Sequence, residues 1–147
     1  MSEDDWLNTG DLGFMHNKHL VLTGRYKEMI LINGQNYFPN DLDIVIEELP
    51  FIKFQQIATC GIFNETVQKD DIYVFIVPQS NQSNLNELEE TIKKHVSTKT
   101  RLGIKKVIPV NNIPRTTTGK VQRHILVNNY LKGFYNVKST HFASNPI

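Results

Sequence analysis

The sequence predicts an α+β domain: a small three-stranded sheet flanked by helices, preceded by a hairpin from a different structural unit. Three observations carry this prediction. Ile72 to Val77 is apolar at every position, the mark of a central strand covered on both faces. Two stripes, Leu42/Val45/Ile46/Leu49 and Leu85/Leu88/Ile92/Val96, recur at helical spacing. The chain has 147 residues, 39% hydrophobic and 21% charged, enough for one globular domain and a piece of a second, and too apolar to stay disordered.

Along the chain, Gly13 to Met15 and His19 to Leu22 are expected as short strands around the turn His16-Asn17-Lys18. A lone hairpin is marginal in water, so it should have packed on something else, with Trp6 facing the same neighbour. Met29 to Ile32 is a strand ended by the turn signal Asn33-Gly34, with Tyr37-Phe38 returning and packing against the next helix. Pro39 suits the start of that helix and Pro50 its stop. Asp41, Asp43, Glu47 and Glu48 are assigned its outer positions. Gln56 to Phe63 is a strand, Asn64 to Asp70 a polar connection, and Ile72 to Val77 the central strand. Asn84 with Glu87 forms a capping box for the next helix. Glu89–Lys93 and Glu90–Lys94 are spaced for ion pairs on its outer face, worth a few tenths of a kcal/mol each. Lys105 to Val110 alternates and carries Pro109 late, as an edge strand does. Asn111 to Gly119 is a flexible polar loop, Val121 to Leu131 a last helix, and Gly133 its stop.

Composition excludes several functions. Lys+Arg is 16 against Asp+Glu 15, a net charge of +1, far from the basic excess of a phosphate-driven nucleic-acid binder. A single cysteine forbids an internal disulfide and any multi-cysteine metal site. Cys60, within a strand, is expected as buried filler rather than a nucleophile. His16, His19, His95, His124 and His141 lack the spacing of a zinc site, so no metal ligation by side chains is expected. No apolar run approaches the roughly 20 residues of a membrane span. The acidic opening MSEDDW is unlike a signal or transit peptide, which makes the cytoplasm the expected compartment and leaves the sequons at Asn64 and Asn81 without weight. Lys105-Lys106 is assigned to a solvated edge, with contact to an acidic carrier protein as the alternative.

Three short segments carry chemistry. Pro114-Arg115-Thr116-Thr117-Thr118-Gly119-Lys120 is not a Walker loop, because Pro114 stands where the first glycine belongs and Val121 where Ser or Thr belongs. What remains is a lysine at the end of a hydroxyl-rich loop just before a helix. Such a point charge can neutralise a developing oxyanion or phosphate charge, although Thr-Gly-Lys also occurs in plain surface turns. Thr9-Gly10-Asp11-Leu12-Gly13 sets a carboxylate between glycines, fit to accept from sugar hydroxyls or merely to form a turn. Gly24-Arg25 offers a fork of donors for phosphate or ribose oxygens, or a surface ion pair.

Taken in order, WLNTGDLG, GRYKEMILINGQNYFPNDLD and PRTTTGKVQR resemble the adenylate-forming superfamily: acyl-CoA synthetases, fatty acyl-AMP ligases, luciferases and adenylation domains of nonribosomal peptide synthetases. The resemblance runs from Trp6 to Arg123 and is strongest to fatty acyl-AMP ligases. Glu28 and Gln35 depart from the commoner Asp and Arg of those enzymes. The resemblance implies that residues 1–26 end a large adenylating domain and that residues 27–147 are a mobile C-terminal domain. It implies nucleotide binding by Asp11 and Arg25, a hinge at Lys27, and catalysis by Lys120 on the carboxylate and phosphate. It implies that Gly34 lies in a loop lining the tunnel for the pantetheine thiol.

The implied cofactors are ATP and Mg2+. The implied partners are the large domain of the same chain and the pantetheine of an acyl carrier protein or of CoA. The activity implied is ligation of a carboxylic acid, a fatty acyl group in the first instance, through an acyl-adenylate. The phosphate loop and acyl pocket are absent from these residues, so the segment alone should be inactive. The alternatives are an amino-acid adenylation domain and a non-catalytic module that binds a carrier protein.

Overall fold

The computed structural model describes residues 7–79 and 84–135. Trp6, the sequon at Asn81 and His141 lie outside the described residues. Strands β1 (Asp11–His16) and β2 (His19–Arg25) form the opening antiparallel hairpin. Asn17 and Lys18 at its tip both have positive φ, the mirror-image turn whose twist matches that of the flanking strands. A 3₁₀ turn, Tyr26–Glu28, leads into a second hairpin, β3 (Ile30–Ile32) and β4 (Gln35–Tyr37). Its turn is the expected Asn33-Gly34, with φ of 51° and 77°.

Helix α1 (Pro39–Glu47) begins on its proline and stops before Pro50. After it come β5 (Ile57–Asn64), β6 (Lys69–Ile76), α2 (Leu85–Thr100), β7 (Ile104–Pro109) and α3 (Arg123–Leu131). The main sheet has the order β5-β6-β7, antiparallel then parallel, so α2 is the crossover between parallel neighbours. This is the α+β architecture expected, with β6 central and β7, carrying Pro109, at the edge.

The two faces of β6 explain its unbroken apolar run. Ile72, Val74 and Ile76 pack with Leu42 and Ile46 of α1, with Leu88, Ile92 and Val96 of α2, and with Ile30 of β3. Phe75, on the opposite face, packs with Ala58, Cys60, Ile108 and Leu126 of α3. Tyr130 of α3 lies against Tyr73 with ring centroids 5.1 Å apart. Each fully buried Ile or Phe here contributes on the order of 1.5–3 kcal/mol. Every buried hydrophobic residue of both clusters comes from Ile30 onward. The β1–β2 hairpin instead exposes Phe14, Met15, Leu20 and Leu22.

Asn84 caps α2 by accepting the Glu87 N–H at 3.2 Å, and Glu89–Lys93 pairs at 2.8 Å. Glu90 and Lys94, both exposed, form no ion pair among the described residues. Leu85 sits on the first turn at 36% exposure, off the stripe expected for it. Two further expectations are corrected. Asp43 does not face solvent: it turns inward, accepts the Thr59 N–H at 2.7 Å and meets Arg123. The last helix starts at Arg123 rather than Val121, because Val121 pairs with Arg115 and the Gln122 N–H bonds to the Pro114 carbonyl at 2.8 Å. Among the described residues, no helix is long and apolar enough to cross a membrane.

Candidate functional site

Asp11 opens β1 and Arg25 closes β2, so both stand at the open end of one hairpin. The approach to β1 is a turn in which the Gly10 N–H donates to Asn8 Oδ1 at 2.9 Å and the Asp11 N–H to Thr9 Oγ1 at 3.2 Å. Gly10 takes φ +72°, a conformation that costs glycine little. The ladder register then sets Asp11 directly across from Arg25, and Arg25 Nε reaches Asp11 Oδ1 at 3.2 Å. Sequence alone left these two residues as separate candidates; pairing makes them one charged unit.

The loop bearing Lys120 is a clasped turn, not the flexible loop expected. The Gly119 N–H donates to the Thr116 carbonyl at 2.9 Å, and the Thr116 N–H to the Lys120 carbonyl at 2.9 Å. Gly119 at φ +84° supplies the left-handed residue that closes a three-residue hairpin loop of this kind. The hydroxyls of Thr116 and Thr118 lie 2.9 Å apart, and the Lys120 N–H donates to Thr116 Oγ1 at 3.1 Å. Arg115 staples the turn to the body: Nη1 donates to the Gly119 carbonyl at 2.8 Å and Nη2 to the Gln55 carbonyl at 3.1 Å. The backbone under Lys120 is therefore held, while its side chain is exposed.

These parts meet in one cleft of about 520 Å³, lined by Asp11, Arg25, Arg115, Thr116, Lys120 and His124 among others. A second cleft of about 680 Å³ adjoins it, sharing Asp11, Arg25 and His124 and adding Thr9, Tyr26 and Lys27. Of the residues singled out in the sequence, Asp11, Arg25 and Lys120 are thus brought together and Lys27 lies at the border. Gly34 is apart, at the exposed tip of the β3–β4 hairpin with φ +77° and lining neither cleft. Arg25, Arg115 and Lys120 give the first cleft a cationic wall, with Asp11 as an acceptor beside it. That combination suits an anionic ligand that also carries hydroxyls. Among the described residues, no group of three or more His, Cys, Asp or Glu side chains is placed to hold a metal ion.

Arg123 is the residue that sequence reasoning left without a role. Its side chain is buried and donates four times: Nε to the Thr59 carbonyl at 2.9 Å, Nη1 to Glu28 Oε2 at 3.2 Å, and Nη2 to Asn40 Oδ1 at 2.7 Å and Asp43 Oδ2 at 2.6 Å. The signal was present, because Arg123 stands in helical phase with Leu126 and Tyr130, where an apolar residue belongs. Burial raises the Asp43 carboxyl above the usual carboxylate range, while Arg123 and the Thr59 donor pull it back. Cys60, nearby, has its thiol pushed up to about 12 by burial. That makes it the inert filler the sequence implied.

A family model described as the Disco-interacting protein 2-like AMP domain matches residues 27–140. The chain belongs to that family, within the adenylate-forming superfamily. It is similar to 4-hydroxyphenylalkanoate adenylyltransferase of Mycobacterium tuberculosis, 33% identical over 140 residues, covering 88% of this chain and 22% of that protein. It is also similar to medium-chain-fatty-acid–[acyl-carrier-protein] ligase JamA of Moorena producens, 31% identical over 136 residues, covering 89% of this chain and 23% of that one. Among solved structures, McyG A-PCP complexed with phenylalanyl-adenylate superimposes with a TM-score of 0.82 at 34% identity, over 91% of this chain and 25% of that one. The chain therefore spans about a quarter of the length of the relatives it matches.

Proposed function

We propose that this segment is the closing hairpin and mobile C-terminal domain of an ATP-dependent ligase. That enzyme activates a carboxylic acid as its acyl-adenylate and passes the acyl group to a pantetheine thiol. The reading rests on one observation above the rest: Asp11 and Arg25 of the hairpin share a cleft with Lys120 of the following domain. Residues 1–26 are then the end of the large domain and residues 27–147 the part that rotates, with Lys27 as the pivot.

In the first step a carboxylate oxygen of the acid forms a bond to the α-phosphorus of ATP, and the bond to pyrophosphate breaks. Negative charge gathers on oxygens of both partners. The Lys120 ammonium, carried on a rigid turn, is suited to stabilise that charge, and Asp11 to accept from the ribose hydroxyls with Arg25 orienting it. Donors and acceptor of this kind fit a nucleotide. A Mg2+ ion would come with the phosphates of ATP, since the described residues offer it no ligand cluster.

In the second step the thiol sulfur bonds to the acyl carbon and AMP leaves. Lys120 must vacate the site for this, which is a reason to place it on a moving domain. Gly34 then lines the thiol's approach. The acceptor is an acyl carrier protein or CoA, and the acid a fatty acid in the first instance; the similarity to a medium-chain-fatty-acid–[acyl-carrier-protein] ligase supports the fatty acid and the carrier protein.

Lys120→Ala in the intact enzyme tests the reading. ATP–pyrophosphate exchange should fall on the order of a thousandfold, and transfer from a pre-made acyl-adenylate should stay within about threefold. Thermal stability should hardly change, since an exposed lysine packs little. Normal exchange in the variant would make Lys120 an ordinary surface residue and overturn the assignment.

A further inference from the structure

We infer that Arg123 is a positioning residue that clamps the far end of the hinge turn to the scaffold carrying Lys120, so that rotation is confined to the residues before Glu28. The inference rests on the ligase reading above, with Lys27 as pivot.

The geometry behind it is specific. Glu28 is the last residue of the 3₁₀ turn Tyr26–Glu28, next to Lys27. Its Oε2 accepts from Arg123 Nη1 at 3.2 Å. The same guanidinium holds α1 through Asn40 and Asp43 and β5 through the Thr59 carbonyl. Arg123 opens α3, three residues after Lys120 on the same backbone. Glu28, α1, β5 and the Lys120 turn are thus joined by one buried side chain.

The other side of the hinge is held differently. The Arg25 side chain pairs with Asp11 across the opening hairpin, and the Tyr26 N–H donates to the Gly10 carbonyl at 3.0 Å. Tyr26 is therefore tied backward and Glu28 forward, and Lys27 is the link of the turn between these two attachments. A planar guanidinium with several fixed donors can hold such a junction where a lysine ammonium cannot.

A loose clamp would let the pivot spread past Lys27 and blur where Lys120 arrives. The expected effect is on turnover and not on ground-state binding. In the intact enzyme Glu28→Gln removes the negative charge at one of the four Arg123 contacts and leaves the other three intact, so the fold should survive. Adenylation kcat should fall about tenfold with KM for ATP and acid within twofold and the melting midpoint within about 2 °C. Amide exchange at Met29 should quicken about tenfold while exchange in β6 stays unchanged. Arg123→Lys should show the same pattern with a larger loss of kcat.

Unchanged kcat and Met29 exchange in Glu28→Gln would overturn the clamp, as would a kcat loss that only tracks lost thermal stability or raised KM. Lys120→Ala, assayed in parallel, separates the two failures. If it abolishes exchange while Glu28→Gln is silent, only the clamp is wrong. If Lys120→Ala is silent, the ligase reading itself is overturned.

Discussion

Gly24 lies against the ring of Phe38, so close that a Cβ at Gly24 would stand 2.5 Å from Cδ1 and 2.9 Å from Cε1. Gly24 is in β2, before the 3₁₀ turn; Phe38 is the residue just before α1. The contact therefore joins the opening hairpin to the start of α1, on either side of Lys27. Glycine is required here for approach rather than for an unusual φ. Gly24→Ala should disfavour the orientation by about 1–3 kcal/mol, the usual cost of overpacking. That corresponds to roughly a 5- to 150-fold loss of pyrophosphate exchange in the intact enzyme. Phe38→Leu added to Gly24→Ala should recover most of it. Wild-type exchange in Gly24→Ala would remove this contact from any account of domain orientation.

Lys27 is the middle residue of the 3₁₀ turn, a conformation whose usual φ of about −50 to −70° a proline ring can take. Lys27→Pro should therefore accept the orientation seen here and resist leaving it. Adenylate formation is expected to survive better than thiol transfer, the ratio of the two changing by about tenfold or more. Separate assays of the half-reactions would show this. An equal loss of both would argue that Lys27 is not a pivot.

Residues from Lys27 onward should fold without the large domain. One core cluster begins at Ile30 and the other at Ala58, and the opening hairpin contributes to neither. Hydrogen exchange on this chain should be slow across Ile72 to Ile76 and fast at Gly13 to Leu22, where apolar side chains stand in solvent. The reverse order of protection would refute an autonomous domain.

Cys60 gives a probe of the native core. Its buried thiol, held protonated up to about 12, should resist a thiol reagent at pH 8 and react fully once denaturant unfolds the chain. The folded-state value lies above the ordinary 9.0. Its contribution is therefore complete below pH 9 and is lost as pH rises from 9 toward 12, by up to about 1.4 kcal/mol per pH unit. Denaturant titrations at pH 8 and 10.5 would measure this. Labelling of Cys60 at the rate of a free thiol in the folded protein would contradict its burial.

The sequence by itself determined the elements whose causes are local. Ile72 to Val77 had to be a doubly covered strand because both phases of its alternation are apolar. Asn33-Gly34, Pro39, the Asn84–Glu87 box and Gly133 marked ends because their backbone preferences act within a few residues. The order of three motifs was enough to find the superfamily. Tertiary structure alone decided the fate of the charges. On periodicity, Asp43 belonged outside with its acidic neighbours, since a lone buried carboxylate is costly. What lets it turn inward is Arg123, 80 residues away in the chain, at 2.6 Å. The same holds for the cleft: Asp11 and Arg25 meet through strand register, and Lys120 joins them because Arg115 fixes its turn to the Gln55 carbonyl, 60 residues distant. Hydrophobic patterning is written residue by residue. Compensation of a buried charge depends on which partner the fold brings near, and no local spacing encodes that.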